Sequence, residues 1–382
     1  MRTSRLMVTL SMVLAMLLVG AGGASGQDGN DDGKVFYTTA GQLERSQVGD
    51  VLAHQHMFVE FGAVPPVAAA DADPELVYDV IGPWVEDAKS LGISVFIDPT
   101  PLGVGRRPDI VKFVADRAEL PAMLVTGIYR EPFMPPWVYD ASVDELAEWM
   151  IEELTVGVGE TDVPAGFIKL SQNATGMTLT ERKILEAACV ASQETGAAIA
   201  SHLEQWASTA GPTALAVIDA LEGFGCSLDE TRFIWIHAML DAAAPGTRLA
   251  TAEPLGVDPG IDYLLAALER GAYVSLDAIG SGFWTDTYGG YDVNIGWIQQ
   301  FVDAGYQDRI LIGADTGWFD PGLIEGWEIE QDEDGNWNPV GTLMQDYRSV
   351  PAEFVPAMEA AGFSEELIES LMSSNPWNAF SR

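Results

Sequence analysis

Read for hydrophobic and polar alternation, the chain repeats one theme: a short apolar run, then a longer stretch with helical spacing. The runs are DVLAHQHMFV, ISVFIDPT, AMLVTGIY, GFIKLS, AAIASHLE, RFIWIHA, AYVSLDAIG and RILIGADT. Between them fall ELVYDVIGPWVEDAKSLG, SVDELAEWMIEEL, TLTERKILEAACVASQETG, PTALAVIDALEGFG and IDYLLAALERG. In the third of these, Thr178 and Glu181 have capping-box spacing and Gly196 supplies a stop. Eight apolar runs alternating with helices predict a parallel sheet covered by helices. That count favours a closed (β/α)8 TIM barrel with long βα7 and βα8 loops over an open doubly wound sheet.

The first residues do not follow this theme. Arg2 and Arg5 precede the apolar run Leu6–Val19 and then GAGGASG. The run is short for a membrane span and has the layout of a secretory signal. Residues 1–26 are therefore expected to be removed after Gly26, giving a secreted or periplasmic protein with no remaining membrane anchor. Residues 27–44 are expected to form a solvated leader, and 45–382 a single domain.

Charge excludes several partners. The chain has 19 basic and 57 acidic residues, a formal net charge of −38. Without Arg2 and Arg5 the balance is 17 against 57, or −40. Such a surface repels nucleic acid and anionic membranes. It also suits a saline medium, where the repulsion is screened. The expected partner is a small neutral molecule, with a homodimer as the one assembly to consider. Cys189 and Cys226 are the only thiols. Both lie in apolar, helix-like surroundings and are read as buried free thiols rather than a bridge.

The candidate chemistry lies at the ends of the runs. All four histidines do: His54 and His56 in run one, His202 in run five and His237 in run six. Asp315 ends run eight and Lys169 lies in run four. Barrel enzymes draw their reacting groups from the C-terminal ends of several strands. Residues i and i+2 of a strand share a face, so both residues of the H-x-H pair can enter the barrel mouth. An ammonium group cannot ligate a metal, but the carbamate formed from lysine and carbon dioxide can. The set then fits two cations: His54, His56 and Asp315 on one, His202 and His237 on the other, and Lys169 between them.

These residues, with the GFIK lysine, FIDPTPLGVGRR, VTGIYREPFMPP and SSNPWNAF, make the chain resemble the phosphotriesterase family of the amidohydrolase superfamily over residues 45–382. The resemblance implies a metal-dependent hydrolase acting on ester bonds. It implies two divalent metal ions, zinc the usual pair, bridged by N6-carboxylated Lys169 and a hydroxide. Asp315 would accept the proton of the attacking hydroxide. Tyr129, Trp284, Tyr288, Trp318 and Trp327 are expected to line the substrate pocket. Two departures bear on the substrate. Only Asp241 stands where family phosphotriesterases have an acidic cluster. Ala278 follows Asp277, where they have a proton-relaying histidine and lactonases commonly an arginine. The expectation is therefore a lactone or carboxyl ester, with weaker phosphotriesterase activity. The rival readings are amide hydrolysis or deamination, and an inactive barrel that binds.

Overall fold

The computed structural model describes residues 33–60, 71–173, 176–203, 210–238, 260–280, 290–319, 330–331, 337–338 and 345–382. The folded unit runs from Lys34 to Arg382. The proposed signal segment, Asp241, Trp284, Tyr288 and Trp327 lie outside the described residues. Among the described residues no helix is long and apolar enough to cross a membrane.

The barrel strands are β3 (Asp50–Leu52), β4 (Ile93–Ile97), β5 (Ala122–Met123) with β6 (Val125–Thr126), β7 (Phe167–Gln172), β8 (Ile199–Leu203), β9 (Phe233–Ile236), β10 (Tyr273–Leu276) and β11 (Ile310–Ile312). All neighbours pair in parallel, β3-β4-β5 in one sheet and β6 to β11 in the other. The two sheets meet twice. β5 and β6 are halves of one run, broken only at Leu124. On the other side the chain beyond β3 runs beside the chain beyond β11. There His54 O accepts from Asp315 N at 3.1 Å, and His56 N donates to Thr316 O at 2.8 Å. The eight apolar runs thus form the eight staves of the expected (β/α)8 barrel.

Period-two alternation separates two cores. Val51, Val95, Ile97, Met123, Val125, Phe167, Ala200, Ile234, Ile236 and Leu311 fill the barrel. Leu52, Phe96, Ile168, Leu170, Ile199, Val274 and Ile310 face the helices instead. That inside-and-outside burial explains why the runs are almost continuously apolar. The helix signals also hold. Helix Leu179–Thr195 starts at the Thr178–Glu181 capping box and ends at Gly196, whose φ is +73°.

Two expectations are corrected. Residues 34–44 are not a solvated leader, because β1 (Phe36–Thr38) and β2 (Gly41–Leu43) form an antiparallel hairpin. Phe36 is fully buried, its ring 4.9 Å from Trp377, and the Val35 backbone bonds Arg382 in both directions at 3.0 and 3.1 Å. The hairpin and the C-terminal helix Asn375–Phe380 thereby close the end of the barrel opposite the histidines. Cys189 and Cys226 are not free thiols but a disulfide. The turn after helix Ala210–Gly223 packs beside helix Leu179–Thr195, bringing the two Cα atoms to 5.9 Å, within bridging range.

Candidate metal centre

β3 ends at Leu52, so His54 and His56 stand just beyond the ladder, on chain held by the segment that follows β11. That close approach demands glycine opposite them. A Cβ on Gly313 would lie 2.8 Å from the His54 Cβ, and one on Gly317 would lie 1.8 Å from the His56 carbonyl oxygen. His237 follows β9 and Asp315 follows β11, with φ of +60° and +52°. Non-glycine residues rarely adopt that backbone, which costs about 1–3 kcal/mol each, and here it turns both side chains at the strand ends.

All six expected ligand residues are buried: His54, His56, Lys169, His202, His237 and Asp315. Three imidazole Nε2 atoms converge on the Asp315 carboxylate. His56 reaches Oδ1 at 3.0 Å, His54 reaches Oδ1 at 3.4 Å and His237 reaches Oδ2 at 4.0 Å. The His237 ring lies 5.2 Å from that of His54 and 4.4 Å from that of His202, between the two expected groups.

Asp277, fully buried, holds two of these rings from behind. Its Oδ2 accepts from His54 Nδ1 and its Oδ1 from His237 Nδ1, both at 2.8 Å. It also accepts from the His237 backbone N–H at 3.1 Å. A carboxylate can only accept, so each Nδ1 carries a proton and each ring turns its Nε2 forward, towards Asp315. Burial opposes charge on Asp277, but His237 and His54 outweigh it and hold its pKa well below the usual carboxylate range. His56 is anchored separately. Its Nδ1 lies 2.7 Å from Thr100 Oγ1, which in turn donates to Asp98 at 2.5 Å.

The remaining electrostatics follow from burial. It disfavours charge on His202, aided by neighbouring His237 and Lys169, so that imidazole is held neutral. Burial pulls Lys169 down to about 8, against the pull of Asp315, Asp277 and Asp98. On Asp315 burial is outweighed by His54 and His56, and the group stays ionised far below its ordinary range. On His56 burial is outweighed by Asp315 and Asp98, which raise its pKa.

These residues suit a metal. Atoms of His54, His237 and Asp315 lie within 4.8 Å of one another, and His54 Nε2 is buried with no hydrogen-bond partner. A buried imidazole nitrogen facing a carboxylate without a hydrogen bond is what a cation ligand looks like when its proton is fixed on the far side.

Of the expected pocket residues, two are described. Tyr129 is buried, its hydroxyl 3.1 Å from His202 Nε2. Trp318 is half-buried, its ring 5.5 Å from His56, and its indole N–H donates to Asp315 Oδ1 at 3.3 Å. In the supporting layer, sequence reading named Asp277 without giving it a role and missed Thr100 and Asp98. Each stands at the end of a strand run, which was the available signal.

The family model described as the phosphotriesterase family matches residues 34–233 and 249–380, leaving His237 in the gap between the two segments. The chain is 24% identical over 353 residues to an aryldialkylphosphatase from Saccharolobus solfataricus, covering 89% of this chain and 97% of that one. It is 21% identical over 386 residues to N-acetyltaurine hydrolase from Rattus norvegicus, covering 91% and 98%. A solved lactonase structure from Listeria monocytogenes superposes with a TM-score of 0.67 at 20% identity, over 91% of this chain and 98% of that one, a likeness of fold.

Proposed function

We infer, from the premise that this chain belongs to the phosphotriesterase family, that it is an exported binuclear-metal hydrolase of neutral esters, with lactones as the leading substrates. The observation that carries this reading is the convergence of three imidazole Nε2 atoms on Asp315, with His54 Nε2 unbonded. The disulfide supports export, since such bonds persist in oxidising compartments.

His54, His56, His202, His237 and Asp315 would hold the cations, joined by Lys169 as its carbamate. The depressed pKa of Lys169 supports this, because only the neutral amine attacks carbon dioxide. The new N–C bond forms as one amine proton leaves to solvent. When bound, two divalent cations supply Lewis acidity towards the substrate oxygen and acidify a water towards neutrality.

The chain's own residues do the rest. Asp315, whose Oδ1 accepts from the Trp318 indole, would take the proton of the attacking water. As the ring C–O bond breaks, Asp315 returns that proton to the departing alkoxide, so lactone plus water gives the hydroxy acid. Only the new carboxyl group sheds a proton to solvent; the one that Asp315 took leaves with the alcohol. A phosphotriester with an aryl leaving group differs, since the phenolate departs without it and the proton must be exported. Both Asp277 oxygens are already engaged by histidines, and its neighbour Ala278 carries no proton. That favours esters whose leaving group takes the proton back.

The test is kcat/KM for a long-chain lactone against a diethyl aryl phosphate on one preparation. The lactone should win. A tenfold preference for the phosphate, about 1.4 kcal/mol of transition-state binding, would reverse the order. The amide bond named in the rat relative makes an acylated amine the necessary third substrate.

A further inference from the structure

Ser171 stands two residues beyond Lys169 on β7, at the inward parity shared with Phe167. In the parallel register its Cα partner is His202 on β8, so the two side chains stand side by side in the barrel wall. His202 in turn feels the charge of Lys169. Ser171 is 3% exposed, and its Oγ has no hydrogen-bond partner among the protein groups. A buried hydroxyl in that condition is costly and calls for an acceptor.

Two acceptors can be considered. A substrate oxygen enters through the mouth, but Ser171 Oγ is sealed from solvent. An acceptor built onto the protein needs no such path, and the nearest one that chemistry can supply is on the same strand face. We propose that Ser171 is a positioning residue whose hydroxyl donates to the carbamate formed on Lys169 and stabilises that adduct. The step conserves atoms: the neutral lysine amine adds carbon dioxide, forms an N–C bond and releases one proton. Ser171 Oγ–H would then donate to a lone pair of one of the two new oxygens. This inference rests on the carbamate reading above, and the following experiment separates the two.

Metal-free protein, cleared of carbon dioxide, is reconstituted with zinc and graded amounts of 13C-bicarbonate. Carbamate is counted by its 13C resonance and by intact mass, independently of activity. Wild type should take up one label per chain. Ser171→Ala should need roughly tenfold more bicarbonate for half-labelling, the effect of one charge-assisted hydrogen bond, and Ser171→Thr, which keeps a hydroxyl, should recover most of the difference. Wild type without label would overturn the carbamate reading and this inference with it. A labelled wild type with an identical bicarbonate dependence in Ser171→Ala would overturn the role of Ser171 alone. So would a variant whose only change is a raised KM, since that marks a substrate contact.

Discussion

Asp277 carries two histidines on one carboxylate, which makes it the most exposed point of failure among single residues. Asp277→Asn keeps the shape but offers one acceptor oxygen where two imidazole donors and a backbone N–H need satisfying. Cation affinity should fall about 10–100-fold, read by calorimetric titration of zinc into metal-free protein, while the circular dichroism spectrum stays unchanged. An unaltered affinity would remove Asp277 from the centre. Trp318→Phe separates ring from donor: the aromatic wall beside His56 survives and the Asp315 hydrogen bond is lost. Metal content should hold while kcat falls severalfold. Lys169 gives a pH signature. Its pKa is lowered to about 8, so the neutral amine fraction rises through pH 8 and levels off above it. With dissolved carbon dioxide held constant, the rate of reactivation in the presence of zinc should follow that curve, whereas an ordinary lysine would still be gaining at pH 10.

Elements explain why the ligand set could be read from sequence and its support could not. His-poor composition made four strand-end histidines conspicuous, and period-two alternation gave their face. Asp98, Thr100 and Asp277 are common residue types, and only the pairing of β3 with β4 and the approach of β9 to β10 brings them behind the rings. The disulfide was illegible for a related reason: it joins elements 37 residues apart, and no local pattern reports that distance. The hairpin at residues 36–43 was hidden because its partner, the C-terminal helix, lies at the other end of the chain. At this scale Gly313→Ala is the sharpest prediction. Its Cβ would sit 2.8 Å from that of His54 and push the two segments apart. Zinc binding should weaken together with the melting temperature. Reducing the Cys189–Cys226 bond should cost about 4 kcal/mol in the chain-entropy picture without displacing any ligand residue, so metal stoichiometry should survive it below the lowered melting point.

At the scale of the whole molecule, an acidic coat surrounds a buried centre that is itself poised for cations. With 57 acidic and 19 basic side chains, most carboxylates have no cationic partner. Raising ionic strength from about 0.01 M to about 1 M shortens the screening length from about 30 Å to about 3 Å. The melting temperature should rise over that range, and a fall would mean that attractive pairs dominate. The same field disfavours anionic substrates, which agrees with a neutral ester in the pocket. The measurement that tests the central claim most directly is a zinc titration of metal-free protein in excess bicarbonate, with bound metal and lactone hydrolysis followed together. Activity should rise with bound zinc and reach its plateau at two ions per chain. Full activity with one ion or none would contradict the binuclear reading.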